Sequence, residues 1–277
     1  MLPTFLGIGV PKAGTTWLYD LMAAHPNVYV SAKLKEVHYF DRHFAKGSEW
    51  YEGFFPSLRD SPQYAALGEV TPQYLYCQAC PQRIAAQLDH PQFILILRNP
   101  VKRAWSDYVF KLRIANYRNT FENFLVDFPS ALRYGFYLQN IENYLRFFDR
   151  DQLLILISEK VFADIKLARK QLAQFLNIDP ALFPETAGMK KANQGYVPRF
   201  RTLSAFSTRT LELAVRKEQY WLVNLAKRSG LKRLLSLQGS QVQPMRAETR
   251  KKLQDIYAQE ITGLEALLQV DLSHWRV

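Results

Sequence analysis

A glycine-rich turn near the start of the chain contains residue types that bind anions. In the stretch GVPKAGTTWL, Gly9 and Gly14 let the backbone approach a ligand closely, and Thr15 and Thr16 bring hydroxyl groups to the start of a predicted helix. Backbone N–H groups at such a turn form a cradle for a phosphate or sulfate group, and Lys12 adds a mobile positive charge. The turn therefore predicts an anion-binding site.

The spacing of this turn differs from that of loops that bind ATP. The ATP-type loop follows the pattern G-x-x-x-x-G-K-[ST], with a lysine directly after the second glycine. Here Thr15 takes that position, and the lysine lies between the two glycines as Lys12. The turn thus favours an anion outside the ATP class, and a plain tight turn between a strand and a helix is the alternative.

A second pair of anion-binding residues follows an apolar run further along the chain. Arg98 ends the run QFILILR, and Ser106 lies in the helix predicted after it. An arginine offers a fork of donors that suits a phosphate, and ligands of open parallel sheets bind beyond the carboxyl ends of the strands. We expect Arg98 and Ser106 to hold a phosphate, with a helix cap or a surface ion pair as the alternative for Arg98. Arg103 could be a structural neighbour or a further phosphate contact.

Glu36 and His38 are the candidates for a general base. They alternate in the stretch KEVHYF, so an extended chain places both side chains on one face. His38 has the intrinsic pKa closer to neutrality, whereas a glutamate base needs a raised pKa or a transition state with late proton removal. A packed histidine is the alternative for His38. Lys35 could bind an anionic group or remain solvated.

Three apolar runs, each followed by an amphipathic stretch, must position these residues. Short continuous apolar runs are typical of strands covered on both faces. Asn99 is the predicted N-cap of the second helix, with Pro100 in its first turn. Repeated strand–helix units predict an α/β fold with a central parallel sheet flanked by helices. The predicted strands are 5–10, 92–98 and 152–158, and the helices after them are 15–24, 100–112 and 160–176.

Further helices and the size of the chain complete the expected organisation. Residues 131–148 and 247–268 have helical spacing, and the chain after about residue 200 is helical and basic in character. The 277 residues, 48% of them hydrophobic, predict a single domain over 1–277. No apolar run reaches about 18 residues, and the first strand has no basic leader before it. These features predict a cytoplasmic protein, provided that this is the full natural chain.

Cys77 and Cys80 are the only two cysteines of the chain. A C-x-x-C pair can be redox-active or form half of a zinc site. The histidines show no paired spacing that would complete a zinc site, and Pro72 and Pro81 flank the pair in a stretch interpreted as irregular. We therefore interpret the two residues as reduced, incidental thiols, and we expect no bound metal.

The positive charge of the chain is concentrated in one segment. The net charge is +11, and residues 199–252 contain 13 Lys and Arg residues and 3 Glu residues, a net charge of +10. Such a segment favours an anionic partner, for example an acidic glycan or a membrane surface. A lid, a face of a homodimer and a solvated helical surface are the alternatives, and no specific nucleic-acid partner is expected.

Together, the turn and the arginine–serine pair resemble motifs of sulfotransferases that use 3′-phosphoadenosine 5′-phosphosulfate (PAPS). PKAGTTWL is similar to their 5′-phosphosulfate loop, and RNPVKRAWSDY is similar to the segment that holds the ribose 3′-phosphate. KEVHYFDRHFAKGSEWYEGFFP resembles the sulfotransferase domains that act on heparan sulfate, and GEVTPQYLY resembles a family stretch near the donor. FPETAGMKKANQGYVPR resembles the late basic loop that closes over PAPS. The resemblance covers most of the chain up to about residue 200.

This resemblance implies a sulfotransferase fold like that of P-loop proteins, and it assigns roles to residues. It implies that Glu36 is the general base, with His38 as orienting partner or substitute. It implies that Lys12 neutralises the oxygen that leaves with the nucleotide. The residues implied to bind PAPS are Lys12, Ala13, Gly14, Thr15, Thr16, Trp17, Arg98, Ser106, Lys190 and Lys191.

The implied reaction is in-line transfer of the sulfuryl group from PAPS to a carbohydrate or small-molecule acceptor, with PAP as the product. The acceptor group is a hydroxyl, with an amine as the second choice, and the mechanism needs no metal. A cluster of aromatic residues could stack on the acceptor, although a packed core is the simpler interpretation for most of them. The cluster consists of Tyr39, Phe40, Trp50, Tyr51, Phe54 and Phe55.

Two functions of other classes remain open from the sequence. A nucleotide-dependent kinase of similar fold would need a lysine directly after the second glycine and a metal-binding Asp at a strand end. The chain has Thr15 at the first position, and Asn99 and Glu159 follow the strands. A non-catalytic polyanion-binding module could be built on the basic segment, and it would bind in a strongly salt-dependent way without turnover.

Overall fold

The computed structural model of the chain is described over four stretches of residues, which form two compact units. All described strands lie in the first unit, and the described part of the second unit is helical. The single domain over 1–277 stays a prediction. Lys190, Lys191 and most of the basic segment, up to residue 241, lie outside the described residues. The described residues are 1–57, 64–115, 117–189 and 242–277.

The first unit, residues 1–98 and 137–189, is built on a five-stranded parallel sheet. In chain order the strands are β1 (Phe5–Gly9), β2 (Val28–Val30), β3 (Ala66–Val70), β4 (Gln92–Leu97) and β5 (Leu153–Ile157). Their order across the sheet is β2–β3–β1–β4–β5. Since β1 has β3 on one side and β4 on the other, the strand order reverses at β1, and the crevice beyond its carboxyl end is where such sheets bind ligands.

The sheet confirms the predicted α/β fold. Every residue of β1 and β3 is buried, as expected for parallel strands covered on both faces. β4 and β5 pair in register from Phe93 opposite Leu153 to Leu97 opposite Ile157. The three predicted strands are all present. The sequence did not predict β2, which has only three residues, or β3, whose apolar run is interrupted by Glu69.

Helices accompany the sheet in the first unit and make up the regular structure of the described part of the second. None of the helices in the described stretches has the length and apolar character needed to span a bilayer. In chain order the described α-helices are α1 (Thr15–Ala23), α2 (Gly47–Glu52), α3 (Cys80–Ala85), α4 (Pro100–Ile114), α5 (Phe121–Asp127), α6 (Ser130–Arg133), α7 (Leu138–Leu145), α8 (Ser158–Ala163), α9 (Ile165–Leu176) and α10 (Ala247–Leu268).

The second unit, residues 99–136 and 242–277 as described, contains α4–α6 and α10. The Asn99 side chain caps α4, since its Oδ1 accepts hydrogen bonds from the N–H groups of Val101 and Lys102 at 2.9 and 3.1 Å. The bounds of α10 match the predicted helix 247–268. Both helix predictions are therefore confirmed.

The single helix predicted over 160–176 is wrong, because the chain forms α8 and α9 with a break at Asp164. Asp164 has φ −138° and ψ 89°, outside the helical region. Its carboxylate accepts a hydrogen bond from the N–H of Leu167 at 2.9 Å, so it acts as the N-cap of a new helix.

The single helix predicted over 131–148 is also wrong. The chain forms α6, a turn that contains Gly135, and then α7. Gly135 faces the ring of Tyr257 so closely that a Cβ atom there would lie 2.5 Å from the tyrosine oxygen. Glycine disfavours a helix, and at this position it leaves space for the ring of Tyr257. The prediction was wrong because it used the amphipathic spacing alone.

Candidate active site

The glycine-rich turn joins the end of β1 to the start of α1. Gly14 has φ +119°, a conformation that favours glycine, and a Cβ atom there would lie 3.1 Å from the ring of Phe162. Among the described residues no side chain caps the start of α1. The first-turn N–H groups of a helix have no partner within the helix, so the turn has donors that are suited to an anion.

Arg98 connects the end of β4 to this turn. Its Nη1 donates a hydrogen bond to the backbone carbonyl of Lys12 at 2.7 Å. The carbonyl of Arg98 in turn accepts from the hydroxyl of Tyr137 at 2.9 Å. The structure therefore brings together two of the predicted anchors, Lys12 and Arg98, at the carboxyl edge of the sheet.

Lys35 connects the turn to the candidate base. Its ammonium donates to the hydroxyl of Thr16 at 2.8 Å and lies 3.4 Å from Oε1 of Glu36. The Glu36 side chain is one-third exposed, so it is accessible to an acceptor molecule. A continuous chain of contacts thus leads from the start of α1 to the Glu36 carboxylate.

His38 lies between two carboxylates. Its Nε2 is 3.6 Å from Oε2 of Glu36, and its Nδ1 is 2.9 Å from Oδ2 of Asp41. The sequence predicted that Glu36 and His38 share a face, and the structure places them together. It did not identify Asp41, although the spacing H-x-x-D was the available signal.

These contacts change the pKa values of both candidate bases. Burial opposes ionisation of Glu36, but the hydrogen bond from His38 and the charge of Lys35 outweigh it, so its pKa is lowered. Burial also opposes the charged form of His38, but its hydrogen bonds to Asp41 and Glu36 raise its pKa to about 9. At neutral pH Glu36 is therefore a carboxylate and His38 an imidazolium, and the His38 ring lies between Glu36 and Asp41.

The raised pKa of His38 predicts a pH-dependent stability. Because the folded protein binds this proton more tightly than the unfolded chain, the stabilisation is complete below about pH 6.5 and is lost as the pH rises to about 9. We expect a loss of up to about 3 kcal/mol in the wild type relative to His38→Gln. Urea unfolding of both proteins between pH 6 and 10 measures this difference, and parallel curves would contradict it.

The other residues predicted in the turn differ in their exposure. Thr15 and Ala13 are buried, whereas Thr16 is half-buried. Trp17 is buried, its indole N–H donates to the Gly188 carbonyl at 3.0 Å, and its ring meets Phe162 edge-on. The Trp17 side chain therefore belongs to the core, and only its backbone N–H is suited to an anion.

Ser106 and Arg103 both lie on α4 in the second unit. Ser106 is half-buried, and its predicted pairing with Arg98 stays a prediction. The Arg103 side chain is fully buried within its unit, donates to the carbonyl of Ala131 and lies 3.8 Å from Asp107. Of the two roles considered for Arg103, these contacts favour the structural one.

Most members of the aromatic cluster are packed in the core. Tyr39 and Tyr51 stack with their ring centroids 4.2 Å apart. Trp50 is half-buried, and the Lys46 ammonium lies 4.6 Å from its ring centroid. Trp50 is thus the least buried member of the cluster. The buried members are Tyr39, Phe40, Tyr51, Phe54 and Phe55.

Cys77 and Cys80 are free thiols, and they do not lie in a wholly irregular stretch as interpreted, because Cys80 begins α3. Cys77 is half-buried, and its hydrogen bond with Cys80 lowers its pKa to about 7. Burial raises the pKa of Cys80. Within the described part of the chain no three His, Cys, Asp or Glu side chains are grouped to hold a metal ion.

Comparisons with known proteins show which sequences this chain is similar to. Mouse heparan sulfate glucosamine 3-O-sulfotransferase 6 is 35% identical over 170 residues, which are 58% of this chain and 48% of that protein. The human protein of the same name is 32% identical over 71% of this chain and 61% of its own length. The membrane-associated sulfotransferase kil1 of Dictyostelium discoideum is 36% identical over 40% of this chain and 24% of its own length. This chain thus spans about half the length of the heparan sulfate relatives.

A solved structure shows the fold that this chain shares, and a family model shows the family. The crystal structure of a sulfotransferase from Alicyclobacillus acidocaldarius is 20% identical and covers 100% of both chains with a TM-score of 0.73, which shows a shared fold. The model of the sulfotransferase domain family matches residues 2–264, nearly the whole chain. The chain therefore belongs to the sulfotransferase domain family.

Proposed function

We propose that this protein transfers a sulfuryl group from PAPS to a hydroxyl group of a carbohydrate and releases PAP. Membership of the sulfotransferase domain family supports sulfuryl transfer, and the names of the heparan sulfate glucosamine 3-O-sulfotransferases support a glycan hydroxyl as the acceptor. The observation that carries the proposal is the chain of contacts from Thr16 through Lys35 to Glu36. These contacts support the proposal because they link the Glu36 carboxylate, through Lys35, to the turn proposed to bind the anion.

The turn fits the phosphosulfate end of PAPS. The start of α1, which no described side chain caps, and the left-handed Gly14 support this role because they offer backbone donors, and Lys12 adds a positive charge to the same loop. Arg98 fixes the Lys12 carbonyl and lies close enough to this loop to contribute a donor to the nucleotide. Ser106, Lys190 and Lys191 are proposed as further contacts to the 3′-phosphate from the resemblance alone.

Each residue of the site has a defined task in this reaction. When bound, PAPS supplies an activated sulfuryl group, and negative charge develops on the oxygen that leaves with PAP. Lys12 and the N–H groups at the start of α1 stabilise that charge. The Glu36 carboxylate accepts the proton of the acceptor hydroxyl, and the His38 imidazolium holds that carboxylate in place.

The lowered pKa of Glu36 restricts how the base acts. A weakly basic carboxylate removes little of the proton before the hydroxyl oxygen has begun to bond to sulfur. Proton removal is therefore late, which suits a loose transition state such as that of phosphoryl transfer. His38 itself, with a pKa raised to about 9, is already protonated at neutral pH and is less suited to accept the proton.

An acidic glycan would also suit the charge of the chain. The +10 segment 199–252 could bind the sulfate groups of such an acceptor, and this partner is proposed from charge alone because the segment is described only from residue 242. The cytoplasmic location stays a prediction, as does the homodimer.

The experiment for this proposal has two stages. Thermal-shift measurements with PAP, PAPS, ATP and AMP at equal concentration should show stabilisation by the 3′-phosphorylated nucleotides only. Stabilisation by ATP equal to that by PAP would favour a kinase instead. Labelled PAPS is then offered with a heparan sulfate oligosaccharide, a simple phenol and an amine. We expect label on the oligosaccharide hydroxyls, and label only on the phenol or the amine would contradict the carbohydrate acceptor.

A further inference from the structure

The side chain of Glu69 is a fully buried carboxylate in the middle of the sheet. It lies on β3 and is 0% exposed, and in the described part of the chain no lysine or arginine forms an ion pair with it. A buried carboxylate is costly unless hydrogen bonds satisfy it. Tyr51 and Tyr74 donate to Oε1 at 2.6 and 2.8 Å, and the Thr71 hydroxyl donates to Oε2 at 2.6 Å.

The fourth donor comes from the segment that carries the proposed base. The backbone N–H of Val37, directly after Glu36, donates to Oε2 of Glu69 at 3.2 Å. Burial raises the pKa of Glu69, and the hydrogen bonds from these four donors oppose that rise, because they suit the ionised carboxylate, which only accepts. Glu69 therefore links the sheet to the backbone next to Glu36.

Two of the groups that donate to Glu69 also accept from this segment. The Thr71 hydroxyl accepts from the N–H of His38 at 3.4 Å, and the Tyr74 hydroxyl accepts from the N–H of Tyr39 at 2.8 Å. The three consecutive N–H groups that follow Glu36 thus all end on the cluster formed by Glu69, Thr71 and Tyr74. We name these three residues the Glu69 cluster.

The segment has no regular secondary structure of its own to fix its backbone. Residues 31–38 lie between β2 and a helical turn that begins at Tyr39, and they form neither strand nor helix. His38 itself has φ +56°, a left-handed conformation that is uncommon for a residue with a side chain. Hydrogen bonds from outside the segment must therefore fix it.

We propose that the Glu69 cluster positions Glu36 for proton abstraction by holding the backbone of residues 37–39 against the sheet. The role rests on the proposed function, since positioning has a meaning only if Glu36 is the base. A shift of about 1 Å in a reacting group can cost about 100-fold in rate. Loss of one hydrogen bond of the Glu69 cluster should therefore lower kcat by a larger factor than it lowers the affinity for the nucleotide.

The first test compares Thr71→Val with Thr71→Ser. Valine keeps the shape but loses the hydroxyl that joins Glu69 to the N–H of His38, whereas serine keeps that hydroxyl. We expect kcat to fall about 10- to 100-fold in Thr71→Val and to stay near the wild-type value in Thr71→Ser. The Kd for PAP should be unchanged in both. Wild-type kcat in a folded Thr71→Val protein would overturn the proposal.

The second test separates positioning from mere stability. Tyr51→Phe and Tyr74→Phe each remove one hydroxyl that donates to Oε1 of Glu69, but only the Tyr74 hydroxyl also accepts from the N–H of Tyr39. We expect kcat to fall at least about 10-fold further in Tyr74→Phe than in Tyr51→Phe at equal PAP affinity. Equal loss of kcat in the two variants would mean that the cluster is only structural.

A readout independent of turnover keeps this proposal separate from the proposed function. The titration of the His38 ring can be followed by NMR in the wild type, Thr71→Val and Thr71→Ser. We expect the midpoint to move toward the ordinary histidine value only in Thr71→Val, because the His38–Glu36 contact loosens. No shift in Thr71→Val overturns the positioning role, while absence of sulfuryl transfer in the wild type overturns the proposed function.

Discussion

Glu36→Gln is expected to lower kcat for sulfuryl transfer by about 10²- to 10⁴-fold, the range for loss of a general base. The amide has the shape of the carboxylate but cannot accept the proton of the acceptor hydroxyl. The contact between Lys35 and Thr16, 2.8 Å long, does not involve the carboxylate, so the anion-binding turn should remain formed. The affinity for PAP, measured by calorimetry, should therefore stay near that of the wild type.

A matched control for this variant is Glu49→Gln, on the exposed surface of α2. The same chemical change there should leave kcat and PAP affinity unaltered. If Glu36→Gln retained most of its turnover while His38→Gln lost it, the role of the base would pass to His38. That result would also contradict the pKa of about 9 that its hydrogen bonds to Asp41 and Glu36 give His38.

The turn and the base segment could be predicted from the sequence because their signals are local. Gly14 needs a left-handed conformation, the two threonines follow it directly, and Glu36 and His38 are separated by one residue. Asn99 before Pro100 identified the start of α4 for the same reason, since a cap acts within three residues of itself.

The network behind these residues could not be predicted in this way. Val37 and Glu69 are 32 residues apart, and they meet because β2, the strand that precedes Val37, pairs with β3 in the sheet. A strand is predicted from a continuous apolar run, and a glutamate interrupts such a run. Glu69 therefore prevented the prediction of β3, the strand that contains it. Asp41 is different, because its contact with His38 three residues earlier is local and the spacing H-x-x-D could have been used.

The two wrong helix predictions have a common origin. Both followed apolar spacing through a residue that ends a helix: Asp164, whose side chain caps α9, and Gly135, which accommodates the ring of Tyr257. The Asp164 signal was local and could have been used, because an aspartate before an apolar helical run is a typical N-cap. The contact of Gly135 with Tyr257 spans more than 100 residues and has no local signal.

The second large effect is expected for Lys12→Met, which should lower kcat by about 10²- to 10³-fold, the usual loss for one group that stabilises developing charge. Lys12 already has φ +72°, so methionine keeps the backbone strain of the native residue and removes only the charge. Unlike Glu36→Gln, this variant should also bind PAP more weakly, because the ammonium acts on bound nucleotide as well as on the leaving oxygen.

Lys170→Met, at an exposed position of α9, is the matched control and should change neither kcat nor the affinity for PAP. If Lys12→Met bound PAP and turned over like the wild type, the glycine-rich turn would not be the donor site, and the Arg98 contact with its backbone would be structural only.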